Sequence, residues 1–308
     1  MIRFHYNLSP NPMKVALCLE ELGLSYEPVP VDTRKGEQFA PAFLALNPNG
    51  KVPVIEDDGV TVFDSNAILL YLGQKSGRFV GRDTPQGRGA LLSWLMFVAT
   101  GLSPFSGQAV HFRHMAPEPK EYAHRRYQFE AERHYGVLDR RLAGNRHMLG
   151  DEYSIVDMGV WGWARLANFV MGEGALERFP NVARWFAEVN ARPAAQRAEE
   201  LKSRHAFKTE WDEEARRNMF RFLEACGAFL RVLGDPIDTA TPQGRFMLQM
   251  LGAVAEFERA LIRERFLSHR VFADYDDILQ ACAEAWRALT RDTLKSLTAF
   301  PWLQQISS

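Results

Sequence analysis

The stretch Asn47-Pro48-Asn49-Gly50-Lys51-Val52-Pro53-Val54-Ile55, followed by Phe63-Asp64-Ser65-Asn66-Ala67-Ile68, sets the local architecture around it. Val52 to Ile55 and Val60 to Phe63 are short apolar runs on either side of Asp57-Asp58-Gly59, which has the chemistry of a hairpin turn. Ser65 stands where a hydroxyl can cap a helix over Asn66 to Gln74. Toward the N-terminus, Ile2-Arg3-Phe4-His5-Tyr6 reads as a strand. The spacing of Val15, Leu17, Cys18 and Leu22 after Pro12 predicts a helix, and Tyr26 to Val31 is a second strand after a stop at Gly23.

The order βαβ, hairpin, helix is that of a thioredoxin-like domain, here residues 1–80. A linker, Val80 to Asp83, leads into an all-α region over 84–220. Thr84-Pro85 opens its first helix with a capping hydroxyl and Pro at the first helical position, and the pentapeptide Thr84 to Arg88 recurs at Thr241 to Arg245 without a period that would make a repeat fold. Trp94, Phe97 and Val98 are spaced for one buried face. Glu121 to Leu142 predicts a second long helix. Ser154-Ile155-Val156-Asp157 predicts a capping-box start whose role is structural.

These motifs, taken in order, resemble the glutathione transferase family over residues 1–220, and the stretch quoted at the outset is similar to that family's glutathione-binding segment. Ser9-Pro10-Asn11, Lys35-Gly36-Glu37-Gln38-Phe39 and Gly107-Gln108-Ala109-Val110-His111-Phe112 look most like the bacterial Nu class and its fungal nitrogen-regulator relatives. The resemblance implies an α/β thioredoxin-like domain followed by an all-α domain, a homodimer, and glutathione as co-substrate with no metal. It also implies an enzyme that either conjugates glutathione to an electrophile or uses it to reduce disulfides or peroxides. An Asn with a neighbouring Thr or Ser would lie beside the glutathione sulfur, which assigns Asn11 and Ser9.

The residue chemistry is compatible with those assignments. A thiol is mostly protonated at neutral pH and its thiolate is the nucleophile, so a site must favour the anion. Ser9 and Asn11 fall at a helix N-terminus, where the dipole and free N–H groups favour negative charge; both residue types also cap helices, and that reading stays open. A cis Pro53 would expose the backbone of Val52 to pair with the ligand's cysteinyl unit. Ser65 is the candidate for the γ-glutamyl carboxylate and Asp64 for its ammonium, with a plain helix cap as the alternative. Lys51 and Gln38 are candidates for the glycyl carboxylate. Arg133, on the second long helix, either reaches the ligand or belongs to a solvated face. Cys18 reads as a small core residue, His111 and His114 lack partners at metal spacing, and Trp161, Trp163 and Phe169 read first as core.

Composition narrows the class. Of 308 residues, 46% are apolar and 24% charged, and 37 Lys and Arg against 38 Asp and Glu leave a formal charge of -1, ordinary for a soluble two-domain chain. Three dispersed cysteines form no CxxC and imply neither a disulfide framework nor a metal cluster. No leader-like start and no apolar run of about 18 residues is evident, so a cytoplasmic protein without a membrane partner is expected.

Beyond Phe220 the resemblance changes. Residues 227–267 are similar to the late catalytic-domain helix of serine recombinases, and 268–290 more weakly to the C-terminal end of a DDE transposase; the catalytic serine, arginine cluster and carboxylates that those enzymes need are absent. Residues 1–220 balance 27 basic against 27 acidic residues and residues 221–308 hold 10 against 11, so charge predicts no nucleic-acid partner for either part. Met247, Met250, Val254, Phe257 and Leu261 form a narrow seam at seven-residue spacing. The chain therefore reads as a transferase with a chimeric helical tail over 221–308. The competing readings are a non-catalytic glutathione binder or scaffold, and a DNA-transaction protein acting through the tail.

Overall fold

The computed structural model describes residues 1–116 and 119–212, with Glu214, Ala215 and Asn218. The chain divides into two units, Met1–Arg221 and Phe222–Ser308, and the description concerns the first. The second Thr-Pro-Gln-Gly-Arg copy, the apolar seam, Cys226, Cys282 and both mobile-element resemblances, at 227–267 and 268–290, lie outside the described residues.

A four-stranded sheet has the order β2-β1-β3-β4. β1 (Ile2–Tyr6) pairs in parallel with β2 (Tyr26–Pro30) and antiparallel with β3 (Val54–Asp57), which pairs antiparallel with β4 (Val60–Phe63). Asp58 and Gly59 both take positive φ, 48° and 83°, the backbone that a tight two-residue hairpin needs to match strand twist. Between β1 and β2 runs α1 (Pro10–Leu22); α2 (Pro41–Leu46) and α3 (Ser65–Ser76) complete the βαβ–hairpin–helix unit.

Among the boundaries that differ from the sequence expectation, three bear on the site. Helix α1 begins at Pro10 rather than after Pro12, because Pro is well suited to the first helical position. Strand β3 begins at Val54 rather than Val52, after the Val52–Pro53 bond, which is cis. The cap of α3 is Asp64, not Ser65: Asp64 Oδ1 accepts from Asn66 N at 2.9 Å and Ala67 N at 3.1 Å, and Ser65 is the first helical residue.

The helical part comprises α4 (Pro85–Phe97), α5 (Ser103–Val110), α6 (Glu121–Ala143), α7 (Ile155–Ala164), α8 (Ala167–Met171), α9 (Pro180–Asn190), α10 (Pro193–Glu199) and α11 (Leu201–Arg204). Thr84 caps α4 through Gly87 N at 3.0 Å. Helices α4 and α5 are joined by a π-helical turn at Val98–Leu102, making one run, Pro85–Met115, that by length and composition could cross a membrane. That corrects the expectation that no such stretch exists. Its Leu91, Leu95, Val98, Leu102 and Ala109 are buried in the common core, the use a core helix makes of an apolar stripe.

Helix α7 is buried at every residue and starts at the predicted capping box. Asp157 accepts from Ser154 N (3.0 Å), Ser154 Oγ (3.0 Å), Met148 N (2.9 Å) and Trp185 Nε1 (2.8 Å), tying α7 to α9 and to the loop before it. After α11 the chain turns back onto the sheet. Tyr6 Oη meets His205 Nδ1 at 2.9 Å, Lys208 N donates to Asp32 Oδ2 at 2.7 Å, and Asn218 Nδ2 donates to the Arg34 carbonyl at 2.9 Å.

Replacing Asp157 by Ala orphans two buried backbone N–H groups and an indole N–H, each worth about 1–3 kcal/mol when left unpaired. D157A is therefore expected to lose about 3 kcal/mol or more of stability in urea unfolding; an unchanged midpoint would refute the structural role.

Candidate functional site at the N-terminus of helix α1

Helix α1 is the most deeply packed element of the thioredoxin-like unit, with ten of its residues buried. One flank lies on the sheet and α3, the other on α7 and α10. Gly162 makes the α7 approach possible: a Cβ there would stand 2.5 Å from both Lys14 Cγ and the Pro10 carbonyl, closer than any side chain tolerates. The N-terminal turn of α1 is consequently pinned where β1 ends.

At that turn Ser9 has extended backbone and makes no side-chain cap. Its Oγ donates instead to Asn7 Oδ1 at 2.6 Å, which also accepts from Ser9 N at 3.0 Å. Asn7 is itself held by Thr33 at 3.2 Å. Asn11, the second residue of the helix, accepts at Oδ1 from Trp163 Nε1 at 3.2 Å. An indole N–H only donates, so this bond fixes which end of the amide faces Trp163 and turns Nδ2, with its two donors, the other way. Among the described residues Nδ2 has no other partner. The simple capping role open to Asn11 and Ser9 is thus not what either side chain does.

The remaining predicted residues fall into two groups. Val52, Pro53, Asp64 and Ser65 bracket the hairpin and the start of α3. Asp64 combines its cap with φ 71°, an uncommon backbone for a non-glycine residue, and its Oδ2 makes no bond among the described residues. Ser65 is buried, and its Oγ accepts from Lys14 Nζ at 3.4 Å. Lys51 is exposed, with its carbonyl taken by Asn47 Nδ2 at 2.6 Å. Gln38 is buried; Nε2 donates to the Thr33 carbonyl at 3.3 Å, and among the described residues Oε1 has no partner. A buried acceptor without a donor suits a ligand N–H better than a carboxylate.

Arg133 stands apart. Its Nε donates to Glu130 Oε2 at 2.9 Å, and Arg126 holds the other oxygen of the same carboxylate at 2.6 Å. Burial pushes Glu130 up, but the two guanidinium groups outweigh it and hold the carboxyl below its ordinary range. None of Arg133's hydrogen bonds reaches the residues around α1.

Sequence reasoning missed Lys14 and Ser103, and read Trp163 as core or hydrophobic pocket rather than as a partner of Asn11. Lys14 is fully buried, its Nζ donating to Ser103 Oγ at 2.8 Å. Burial pushes its ammonium down to about 7, against an opposing pull from the Asp64 charge. The available signal was its position one turn before Cys18, on the apolar stripe where a lysine is out of place. Cys18 itself is fully buried, and burial first, then the Glu21 charge, pushes its thiol far up, so it is no nucleophile.

Comparison with known proteins identifies the family. The family model for the glutathione S-transferase N-terminal domain matches residues 1–74, and that for its C-terminal domain matches 121–188. The chain is 40% identical over 205 residues to the disulfide-bond oxidoreductase YfcG of Escherichia coli, covering 94% of that protein and 64% of this chain. The chain belongs to the glutathione transferase family. It is 38% identical over 208 residues to another E. coli disulfide-bond oxidoreductase, YghU, covering 70% of it and 61% of this chain. A glutathione transferase from Burkholderia graminis, solved with two glutathione molecules per subunit, aligns with a TM-score of 0.61 at 36% identity, covering 66% of this chain and 89% of that one. A transferase from Phanerochaete chrysosporium solved with oxidised glutathione gives 0.62 at 34%, covering 66% and 96%.

A separate family model, the resolvase N-terminal domain, matches residues 213–272. That match begins before the expected junction at residue 220 and includes Asn218, whose side chain holds Arg34.

If Trp163 fixes the Asn11 amide, W163F keeps the ring and loses the bond. It is expected to leave the unfolding midpoint within about 1 kcal/mol of wild type while weakening whatever Asn11 does; equal function in W163F and wild type would separate the two residues.

Proposed function

We propose that the protein uses glutathione to reduce disulfides, with the thiolate held at the N-terminus of α1 by the Asn11 amide. The observation that carries the reading is the Trp163–Asn11 bond, which commits Oδ1 and leaves two amide donors, alongside the helix N-terminus, for an anion. Ser9 is the lesser donor, because its proton is already given to Asn7.

The other residues divide the ligand by charge. Val52 presents backbone at the cis-Pro53 platform for the cysteinyl unit; Ser65 O–H and N–H take the γ-glutamyl carboxylate, and Asp64 Oδ2 its ammonium. Lys51 takes the glycyl carboxylate and Gln38 Oε1 a ligand amide N–H. Arg133, fixed to Glu130, is the least supported member of the set. In this reading the thiol comes with the ligand; Cys18, the one cysteine among the described residues, is sealed in the core. Chemically, the thiolate attacks one sulfur of the disulfide and expels the other as thiolate, which takes a proton from water. A second glutathione resolves the mixed disulfide, so two glutathiones are oxidised to glutathione disulfide while the substrate gains two thiols.

The names of the E. coli relatives and the oxidised glutathione in the fungal structure favour reduction over conjugation. Glutathione-dependent turnover of a small disulfide is the direct test, with a chlorinated aromatic electrophile as comparison; conjugation without disulfide reduction would contradict the reading.

Steady-state rates should fall by about 10²- to 10³-fold in N11A, the cost of removing a donor to an anion, and by clearly less in S9A. The reverse order would move the sulfur to Ser9. Calorimetric titration should show S65A binding glutathione about 10- to 100-fold more weakly, the worth of a charge-assisted hydrogen bond; an unchanged constant would place the γ-glutamyl end elsewhere. A chain shortened to end at Phe220 keeps His205, Lys208 and Asn218, which bond to Tyr6, Asp32 and Arg34, and is expected to retain full-length turnover. Loss of activity would show that residues 221–308 have become part of the enzyme.

A further inference from the structure

Lys14 is the one fully buried ammonium in the described part of the chain, and its placement is difficult to explain as packing. A charge without water is expensive, and an apolar side chain of similar length would fill the same space. Its partners are two hydroxyls, Ser103 Oγ at 2.8 Å and Ser65 Oγ at 3.4 Å, and among the described residues no carboxylate pairs with it directly. Gly162 clears room for its stem, so three helices besides α1 accommodate this side chain: α3 through Ser65, α5 through Ser103 and α7 through Gly162.

We propose that Lys14 is a positioning residue for the γ-glutamyl carboxylate, acting from inside the protein. Its ammonium engages the Ser65 oxygen as an acceptor and so frees the Ser65 O–H to donate to the ligand, and it sets a buried positive charge behind the Asp64–Ser65 turn. This rests on the glutathione reading above and names the group that makes that subsite attractive to an anion. Without ligand, burial keeps the Lys14 ammonium down at about 7. A carboxylate bound in front of Ser65 favours the charged form, so binding near neutral pH draws a proton into the protein, and affinity falls as pH rises through that midpoint.

Other charges around α1 are otherwise engaged. Asp64 is the one that acts on Lys14. On α1 itself Glu20 and Glu21 pair with Arg197 and Arg192; on α3 Lys75 pairs with Asp57. On β1 Arg3 and His5 meet Glu56. On α7 Asp157 is tied up in the capping box and Arg165 pairs with Glu199 of α10. Helix α5 carries no charged side chain.

The test is calorimetric titration of S-methylglutathione, whose blocked thiol cannot titrate, into the full chain and into K14M. Each titration is run near neutral pH in two buffers of different ionisation enthalpy. Wild type is expected to take up about half a proton per ligand at pH 7. K14M is expected to take up less and to bind about tenfold more weakly, while unfolding in urea at the same midpoint or higher, because a costly buried charge is gone. Equal affinity and equal proton uptake in the two proteins would overturn the proposal. Failure of wild type to bind S-methylglutathione at all would instead remove the glutathione reading beneath it. Should K14M not fold, S103A decides: losing the nearer acceptor lowers the Lys14 midpoint and shifts proton uptake to lower pH, and an unshifted profile overturns the proposal.

Discussion

The close approach of α7 to α1 at Gly162 is the contact on which the rest of this structure depends. It brings Trp163 within hydrogen-bonding distance of Asn11 and closes the space in which Lys14 is buried. It also joins the sheet-bearing and helical parts into one packed body, with Arg192 and Arg197 of the helical part paired to Glu21 and Glu20 of α1. A thioredoxin-like unit alone would leave the N-terminal turn of α1 without its amide orientation and without a roof over the lysine.

From that contact the chemistry follows by division of labour. The helix terminus and Asn11 offer donors to an anion, and Asp64 caps α3 with one carboxylate oxygen while the other remains for a cation. Ser65 stands between the surface and a buried ammonium. In the proposed reading these polar groups match a ligand carrying both signs of charge, while the protein's own described cysteine is kept inert by burial. The proposed role, stabilising a nucleophile that arrives with the ligand, is consistent with relatives named as disulfide-bond oxidoreductases.

The fold was legible because its signals are local and redundant: β1 and β4 match the sequence expectation residue for residue, and the capping box at Ser154 and Asp157 is present in full. Boundaries were missed where backbone conformation, not side-chain pattern, decides them, as at Pro10, Val54 and Asp64. The candidate ligand-facing residues came from local motifs. Partners such as Trp163 for Asn11 and Ser103 for Lys14 could not, since these pairs join residues 152 and 89 positions apart. Lys14 announced itself only as a cation on an apolar stripe. Arg133 matched by position, yet its partner Glu130 lies within its own helix, so local pairing accounts for it without a ligand.

The central claim is that this fold makes a thiolate at the N-terminus of α1. Its most direct measure is the ultraviolet thiolate absorbance of the protein–glutathione complex followed as a function of pH. A free thiol of this type titrates near about 8.5; the complex is expected to titrate at least about one pH unit lower, and N11A to return most of that shift. A wild-type complex that titrates with the free thiol would contradict the account.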